Sequence, residues 1–229
     1  VLFARALGQG FAGAVHQWQE VLVAIGLISV AVGAFAGLAQ KNLKRLWAYS
    51  SIANVGYAIL GLSSGNAEGV QAMLVFMVLY MIDVTGFFAC LAALSRQGRS
   101  METIDDMAGL IKEQPGIAMA MTVFSLSALG LPPFSGFWAK VYVFKAAIHA
   151  GLGVAAVAGL VGSVVAAFYY LRLIKVMWFD AGAGATDKPP PEARFIAVSL
   201  ALFSFPVVMG ALYWLDPLAA RAARAFGLA

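Results

Sequence analysis

Lys140 carries the strongest chemical signal in the chain. From Ile117 to Ala139 there is no charged residue, and Val141 to Phe144 is again apolar. A charge at membrane depth costs about 2.5–3.5 kcal/mol on insertion scales, so such a lysine pairs, faces a water-filled cavity or carries protons. Pro132-Pro133 interrupts the helix just upstream, because proline lacks the N–H that a helix interior needs. A broken helix beside an intramembrane charge points to an ion or proton site. Desolvation brings the neutral and charged forms of a lysine close in energy, which suits a proton relay; a static ion pair is the alternative.

Other ionisable groups stand in similar surroundings. Lys145 and His149 are four residues apart and share a helix face, whereas Lys140 is turned about 140° from Lys145 by helix geometry. Lys140 and Lys145 therefore do not form one cluster, and Lys145 and His149 are near enough to a segment end to snorkel. Asp83 lies near the middle of an apolar stretch with Tyr80 three residues before it, on the same helix face. A central Asp is neutral, paired or switching. Lys44 belongs to Lys41-Asn42-Leu43-Lys44-Arg45, which runs into Leu46-Trp47-Ala48-Tyr49-Ser50-Ser51. A basic helix end is the simpler reading. The hydroxyls of Tyr49, Ser50 and Ser51 are the argument that a lysine, or water, is held there.

These residues sit in a chain that is 62% hydrophobic and 11% charged, with mean hydropathy +0.87. Soluble domains carry about 25% charged residues, so this is an integral, all-α, multi-pass membrane protein. The stretches 21–40, 152–171 and 195–215 each hold about 20 uncharged residues, the length that crosses a bilayer core. The net charge of +4 is dispersed, which argues against nucleic acid as a partner and for the lipid bilayer. A single Cys90, in an apolar segment, excludes a disulfide framework or a cysteine metal site. The two His and scattered carboxylates show no metal-ligand spacing, and no glycine motif cradles phosphate. No cofactor or metal is expected in this chain.

Seven apolar segments are expected, near 20–40, 46–62, 69–95, 116–131, 134–149, 152–178 and 195–215. The organisation expected is the end of a preceding transmembrane helix over 1–15 and a helix bundle over 16–180, with a broken helix near 132–151. An aqueous loop follows over 181–193, then a final transmembrane helix and short amphipathic tail over 194–229. The Gly-, Ala- and Pro-rich stretch 182–191 suits a mobile loop, and 98–115, with five charged residues from Glu102 to Glu113, a surface one. One side of the membrane would hold Lys41, Lys44, Arg45, Arg96, Arg99, Lys112, Arg221 and Arg224, and the other Arg172, Lys175, Lys188 and Arg194. Sidedness stays open, since the first cluster is also readable as intramembrane.

Two strings carry a family resemblance: Gln40-Lys41-Asn42-Leu43-Lys44-Arg45-Leu46-Trp47-Ala48-Tyr49-Ser50-Ser51-Ile52-Ala53-Asn54-Val55-Gly56-Tyr57, and Gly130-Leu131-Pro132-Pro133-Phe134-Ser135-Gly136-Phe137-Trp138-Ala139-Lys140. They resemble the antiporter-like membrane subunits of respiratory complex I, over essentially the whole chain. The resemblance implies about fourteen transmembrane helices, including two five-helix repeats of inverted topology, of which this chain looks like the second half. It implies that Lys44 is a central relay and Lys140 an exchange site in the second repeat's broken helix. Relatives carry histidines and a lysine in the third segment; here Tyr80 stands near a His position and Val84 near the Lys position. Asp83, Tyr80, Tyr49, Lys145 and His149 are possible further members of the relay.

Three functions follow as expectations. The first is a proton-translocating subunit of NADH:quinone oxidoreductase in a bacterial inner membrane, partnered by neighbouring membrane subunits. NADH, FMN, iron–sulfur clusters and quinone would then be handled elsewhere in the complex. The second is a subunit of a multi-subunit cation/proton antiporter, and the third a membrane subunit that keeps the fold without moving ions.

Overall fold

The computed structural model describes residues 2–182 and 184–227; Val1, Ala183, Leu228 and Ala229, which fall in the expected first helix end, aqueous loop and tail, lie outside the described residues. Among the described residues the helices are α1 (Leu2–Gly10), α2 (Val15–Leu38), α3 (Leu43–Leu62), α4 (Ala67–Ala93), α5 (Leu110–Glu113), α6 (Pro115–Leu129), α7 (Ser135–His149), α8 (Gly153–Phe179), α9 (Pro191–Leu202) and α10 (Val208–Arg224). Their limits follow local chemistry. Asn42 and Asn66 cap α3 and α4, their side-chain oxygens accepting from Arg45 N at 3.1 Å and Gly69 N at 2.9 Å, which satisfies N–H groups that a helix start leaves free. Pro115 and Pro191 each occupy a first turn, where the missing N–H costs nothing.

Four helical stretches are long and apolar enough to span a bilayer: Ala12–Leu38, Ala67–Ala93, Gly153–Phe179 and Pro191–Arg224. Their outer faces stay apolar, as at Ile28 and Phe35 on α2 and Val164 and Phe168 on α8, as lipid contact requires. Inside, packing rests on dispersion and small residues rather than on escape from water. A Cβ at Gly33 on α2 would lie 2.6 Å from Ala53 N on α3, so the two helices meet backbone to backbone. Trp47 stacks on Phe87 with centroids 3.8 Å apart, joining α3 to α4.

Two spans are broken. The 15-residue α6 and α7 are each about 22 Å long at 1.5 Å per residue, short of a hydrocarbon core about 30 Å thick. Only together do they cross, which places the break at 130–134 within the membrane. The second break was not expected. The apolar stretch 195–215 reads as one helix, but Phe203–Val207 form a π-turn in which Phe205 is extended (φ −162°, ψ 124°). Pro206 is the cause, since its nitrogen cannot donate.

Counting the halves α6 and α7 as one span changes which charged loops share an end. The loop after α8 lies against the loop after α4, with Asp187 accepting from Ser95 Oγ at 2.7 Å and from Gly98 N at 2.9 Å. The backbone of 102–104 pairs with the α2–α3 linker, Leu43 N donating to Glu102 O at 2.7 Å and Ile104 N to Lys41 O at 2.9 Å. These three loops form one polar clasp. The Gly98 and Gln97 N–H groups and Ser95 hold the Asp187 carboxyl below its usual range, the Gly98 contribution being the largest.

The clasp also corrects two loop expectations. The segment 98–115 is not simply a surface loop, because Met101, Ile104, Met107 and Leu110 are buried in the core. The stretch 182–191 is tied down by Asp187 and by Thr186, whose N–H reaches Glu113 at 2.7 Å.

Counted on this topology, one end carries Lys41, Lys44, Arg45, Arg96, Arg99, Lys112, Arg172, Lys175, Lys188 and Arg194, and the other Arg5, Lys145, Arg221 and Arg224. The positive-inside rule puts the first end in the cytoplasm. In a cysteine-free full-length subunit, a cysteine placed at Gln97 should react with a membrane-impermeant maleimide only after permeabilisation. One placed at Gly151 should react in intact spheroplasts; the reverse pattern would invert the topology.

Candidate functional site

The first break builds a cation site from backbone. Gly130, at φ +93°, ends α6 in the left-handed conformation, which glycine adopts without strain. The last carbonyls of α6 are thereby left to find other partners, as at any helix C-terminus. Lys140, one turn into α7 and 7% exposed, supplies them: its Nζ donates to Ala128 O and Leu129 O, each at 2.9 Å, and to Ser163 Oγ on α8 at 2.6 Å. The ammonium also lies 5.1 Å from the centroid of the Tyr57 ring, within reach of a cation–π attraction. The C-terminal end of a helix carries about −0.5 elementary charge, so α6 aims its negative end at Lys140. A cavity of about 280 Å³ lined by Leu129, Gly130, Phe137, Ser163 and others adjoins the lysine.

No carboxylate pairs with Lys140 among the described residues, so the static ion pair considered for it is replaced by neutral acceptors. Three acceptors match the three hydrogens of an ammonium; a neutral amine carries two. Loss of a proton therefore costs this site a hydrogen bond but leaves no counter-charge stranded.

Asp83 is the second buried group, 1% exposed. It too lacks a basic partner among the described residues and sits instead in a ring of hydroxyls. Ser127 at the end of α6 donates to Oδ2 at 2.5 Å, Ser204 in the second break donates to Oδ1 at 2.7 Å, and Ser135 at the start of α7 donates at 3.0–3.1 Å. Both breaks therefore converge on one carboxylate. Tyr80 does not join it: its hydroxyl donates to Ser51 on α3 at 2.7 Å.

The remaining expected residues lie elsewhere. Lys44 is in the first turn of α3, half-exposed, with Nζ 2.5 Å from Glu102 Oε1, and this bond holds the Glu102 carboxyl below its usual range. Lys44, expected as a central relay from the resemblance, stands at a basic helix end in an exposed pair, and the α2–α3 linker belongs to the clasp. Tyr49 is half-buried and lines a surface cleft with Gln40 and Arg45. Its neighbours hold no lysine: Ser50 bonds Tyr170, and Ser51 receives Tyr80 and donates to Trp47 O. Lys145 and His149 do share a face and both meet Glu68, at 3.5 and 2.9 Å, at an exposed helix end.

Sequence reasoning missed Ser127, Ser135, Ser163 and Ser204, single hydroxyls in apolar helices that carry no spacing signal. Phe205-Pro206 was the available cue for the second break.

A membrane helix bundle with two broken spans, each delivering polar groups to a buried charge, has the architecture of an antiporter-like membrane subunit. The chain belongs to the NADH:quinone oxidoreductase/Mrp antiporter transmembrane family, whose model matches residues 2–166. It is 70% identical to NADH-quinone oxidoreductase subunit N of Caulobacter sp. (strain K31), over 99% of this chain and 48% of that protein. It is 47% identical to the subunit N of Rhodospirillum rubrum, over 81% of this chain and 38% of that one. The chain spans about half the length of the curated relatives it matches. Among solved structures it resembles a chain of respiratory complex I from Thermus thermophilus with bound aureothin, at TM-score 0.74 and 36% identity, covering 88% of this chain and 46% of that one. A chain of the Mrp complex from Dietzia sp., at TM-score 0.82 and 19% identity over 92% of this chain and 48% of that one, shares the fold.

The site geometry sets an expected contrast in stability. In Gly130→Ala the new Cβ would lie 2.9 Å from Lys140 Cδ, and the left-handed backbone itself costs about 1–2 kcal/mol for a residue with a Cβ. Thermal unfolding of the purified full-length subunit should shift down by several degrees. Lys44→Ala, which removes only an exposed pair, should leave the transition within error.

Proposed function

We propose that this chain is the lysine-bearing half of a proton-translocating subunit N of bacterial NADH:quinone oxidoreductase. The observation that carries the reading is Lys140, buried at the carboxyl end of a half-helix with only neutral acceptors around it. The kinship with subunit N from two bacteria supports the choice of complex. The subunit works as part of a translocase in the inner membrane, beside other membrane subunits of the complex, and redox chemistry with NADH, FMN, iron–sulfur clusters and quinone belongs to other subunits.

In this reading Lys140 alternates between ammonium and amine. As ammonium it satisfies Ala128 O, Leu129 O and Ser163; as amine it releases one of them, and the freed proton leaves through the adjoining cavity. Moving one charge across the membrane stores about 2.3 kcal/mol per 100 mV, so the cycle must be driven by electrostatic coupling to chemistry in the other subunits. Lys44, Lys145 and His149, held by surface carboxylates, stay outside the cycle.

The test uses the full-length subunit within its assembled complex in sealed vesicles, recording NADH-driven quinone reduction and proton pumping together. Lys140→Ala should depress both while the complex still assembles. Lys140→Arg is the sharper variant, because a guanidinium keeps the charge but does not deprotonate; it should also lose pumping, whereas Lys44→Ala should retain it. Normal pumping in Lys140→Arg would make Lys140 a structural charge and overturn the reading. Pumping that follows sodium rather than protons would place the chain with the cation antiporters of its family.

A further inference from the structure

The hydroxyl ring around Asp83 holds more hydrogen-bonding contacts than its serines have hydrogens to fill. Five residue pairs in the cluster lie within hydrogen-bond distance: Asp83 with Ser127, Ser135 and Ser204, and Ser135 with Ser127 at 2.8 Å and with Ser204 at 2.7 Å. Three hydroxyls carry three hydrogens. With Asp83 ionised, all three point at the carboxylate and both serine–serine contacts are left without a hydrogen between them. A proton on Asp83 fills one of those two contacts and leaves only Ser127–Ser135 without a hydrogen. The carboxyl O–H then donates to Ser135 Oγ, Ser135 turns its hydrogen to Ser204 Oγ, and Ser204 and Ser127 continue to donate to the carboxyl oxygens.

We propose that Asp83 is a second proton-holding group of the subunit, whose charge state is read by both helix breaks through Ser135 and Ser204. The step is a simple protonation: one Oδ–H bond forms with a proton delivered from water, and the Ser135 O–H turns from the carboxylate to Ser204. No other bond changes. Ser135 opens α7, the helix that carries Lys140, and Ser127 lies one residue before Ala128, whose carbonyl holds the Lys140 ammonium. A change of hydrogen bonding at Asp83 therefore acts on the peptide groups that hold the lysine. Ser204 extends the same change to the break between α9 and α10. This rests on the reading of Lys140 as a relay group, since a passive lysine would have nothing for Asp83 to regulate.

The ring suits a proton rather than a sodium ion. Its oxygens already touch at 2.5–3.1 Å, which leaves no space for a cation at their centre. Other titratable side chains on the packed elements face elsewhere. Tyr80 turns to Ser51, Lys140 to the α6 carbonyls and Ser163, and Tyr142 to Asp216 at 2.7 Å. Glu68 and Lys145 pair at an exposed end, and Glu192 and Arg194 open α9 at the clasp end.

The experiment is infrared difference spectroscopy of the assembled complex in vesicles, resting against NADH-energised, alongside the pumping assay. The wild type should show a protonated-carboxyl C=O band that Asp83→Asn removes together with pumping. Ser204→Ala, which keeps the carboxyl and deletes one donor, should move that band to higher frequency. A wild-type spectrum with no band lost in Asp83→Asn would overturn the proposal. So would a band that Ser204→Ala leaves in place, and this variant decides the matter if Asp83→Asn fails to assemble. A band abolished by sodium at constant pH would make the ring a cation site instead. Normal pumping in Asp83→Asn beside lost pumping in Lys140→Arg would sink this inference alone. Normal pumping in Lys140→Arg would remove the relay on which it stands.

Discussion

The buried polar groups of this protein follow from backbone that must be satisfied where no water reaches. A helix stopped inside a bilayer leaves carbonyls at one broken end and N–H groups at the other, and each costs several kcal/mol if unpaired in hydrocarbon. At the first break the carbonyl end is met by Lys140, and Gly136 N at the amino end of α7 donates to Ser127 Oγ at 2.8 Å. The break is thus stabilised by the groups that give the site its chemistry. Gly130 is fixed by the same constraint twice over, needing both a left-handed backbone and space for the lysine stem.

The two ends of the first break are complementary in sign. Lys140 faces the carbonyl end of α6, where the helix dipole is negative, and Asp83 lies against the start of α7, where it is positive. Half-helix ends serve here as fixed partial charges, which allows both ionisable groups to be buried without pairing to each other. A direct Lys–Asp pair in the same medium would be held by mutual attraction that grows as the dielectric falls, and removing a proton from it would strand the partner's charge. Neutral acceptors avoid that trap. The exposed Lys44–Glu102 pair shows the contrast, being a contact in which both charges are kept and solvent screens the loss of either.

Lys140 and the first break were legible because their signals are local: a double proline, an uncharged run on each side and a lysine within two turns. The helices were legible for the same reason, from apolar length. Sidedness stayed open in the sequence, and the charged loops were grouped as if the two half-helices were two crossings; the length argument that regroups them needs their measured ends. The second break lay hidden because Phe205-Pro206 interrupts a stretch that is otherwise uniformly apolar, and hydropathy does not register a missing N–H. The exposure of Lys44 was not legible, because the motif that carries it says nothing of depth. Its neighbour across the clasp, Glu102, is 58 residues away in sequence.

The hydroxyl ring was the least legible feature, and the reason bears on how it works. Ser127, Ser135 and Ser204 come from three separate helix ends and meet only because both breaks fall at the same depth beside α4. A serine or threonine inside a helix returns its hydroxyl to the preceding turn, as Ser125 and Thr122 do toward Met121 O and Ala118 O. The three ring serines are freed from that habit by standing at helix ends. Breaking a span thus supplies backbone ligands for a cation and, one turn away, releases side-chain donors for an anion. A single local device, proline at membrane depth, accounts for both buried charges.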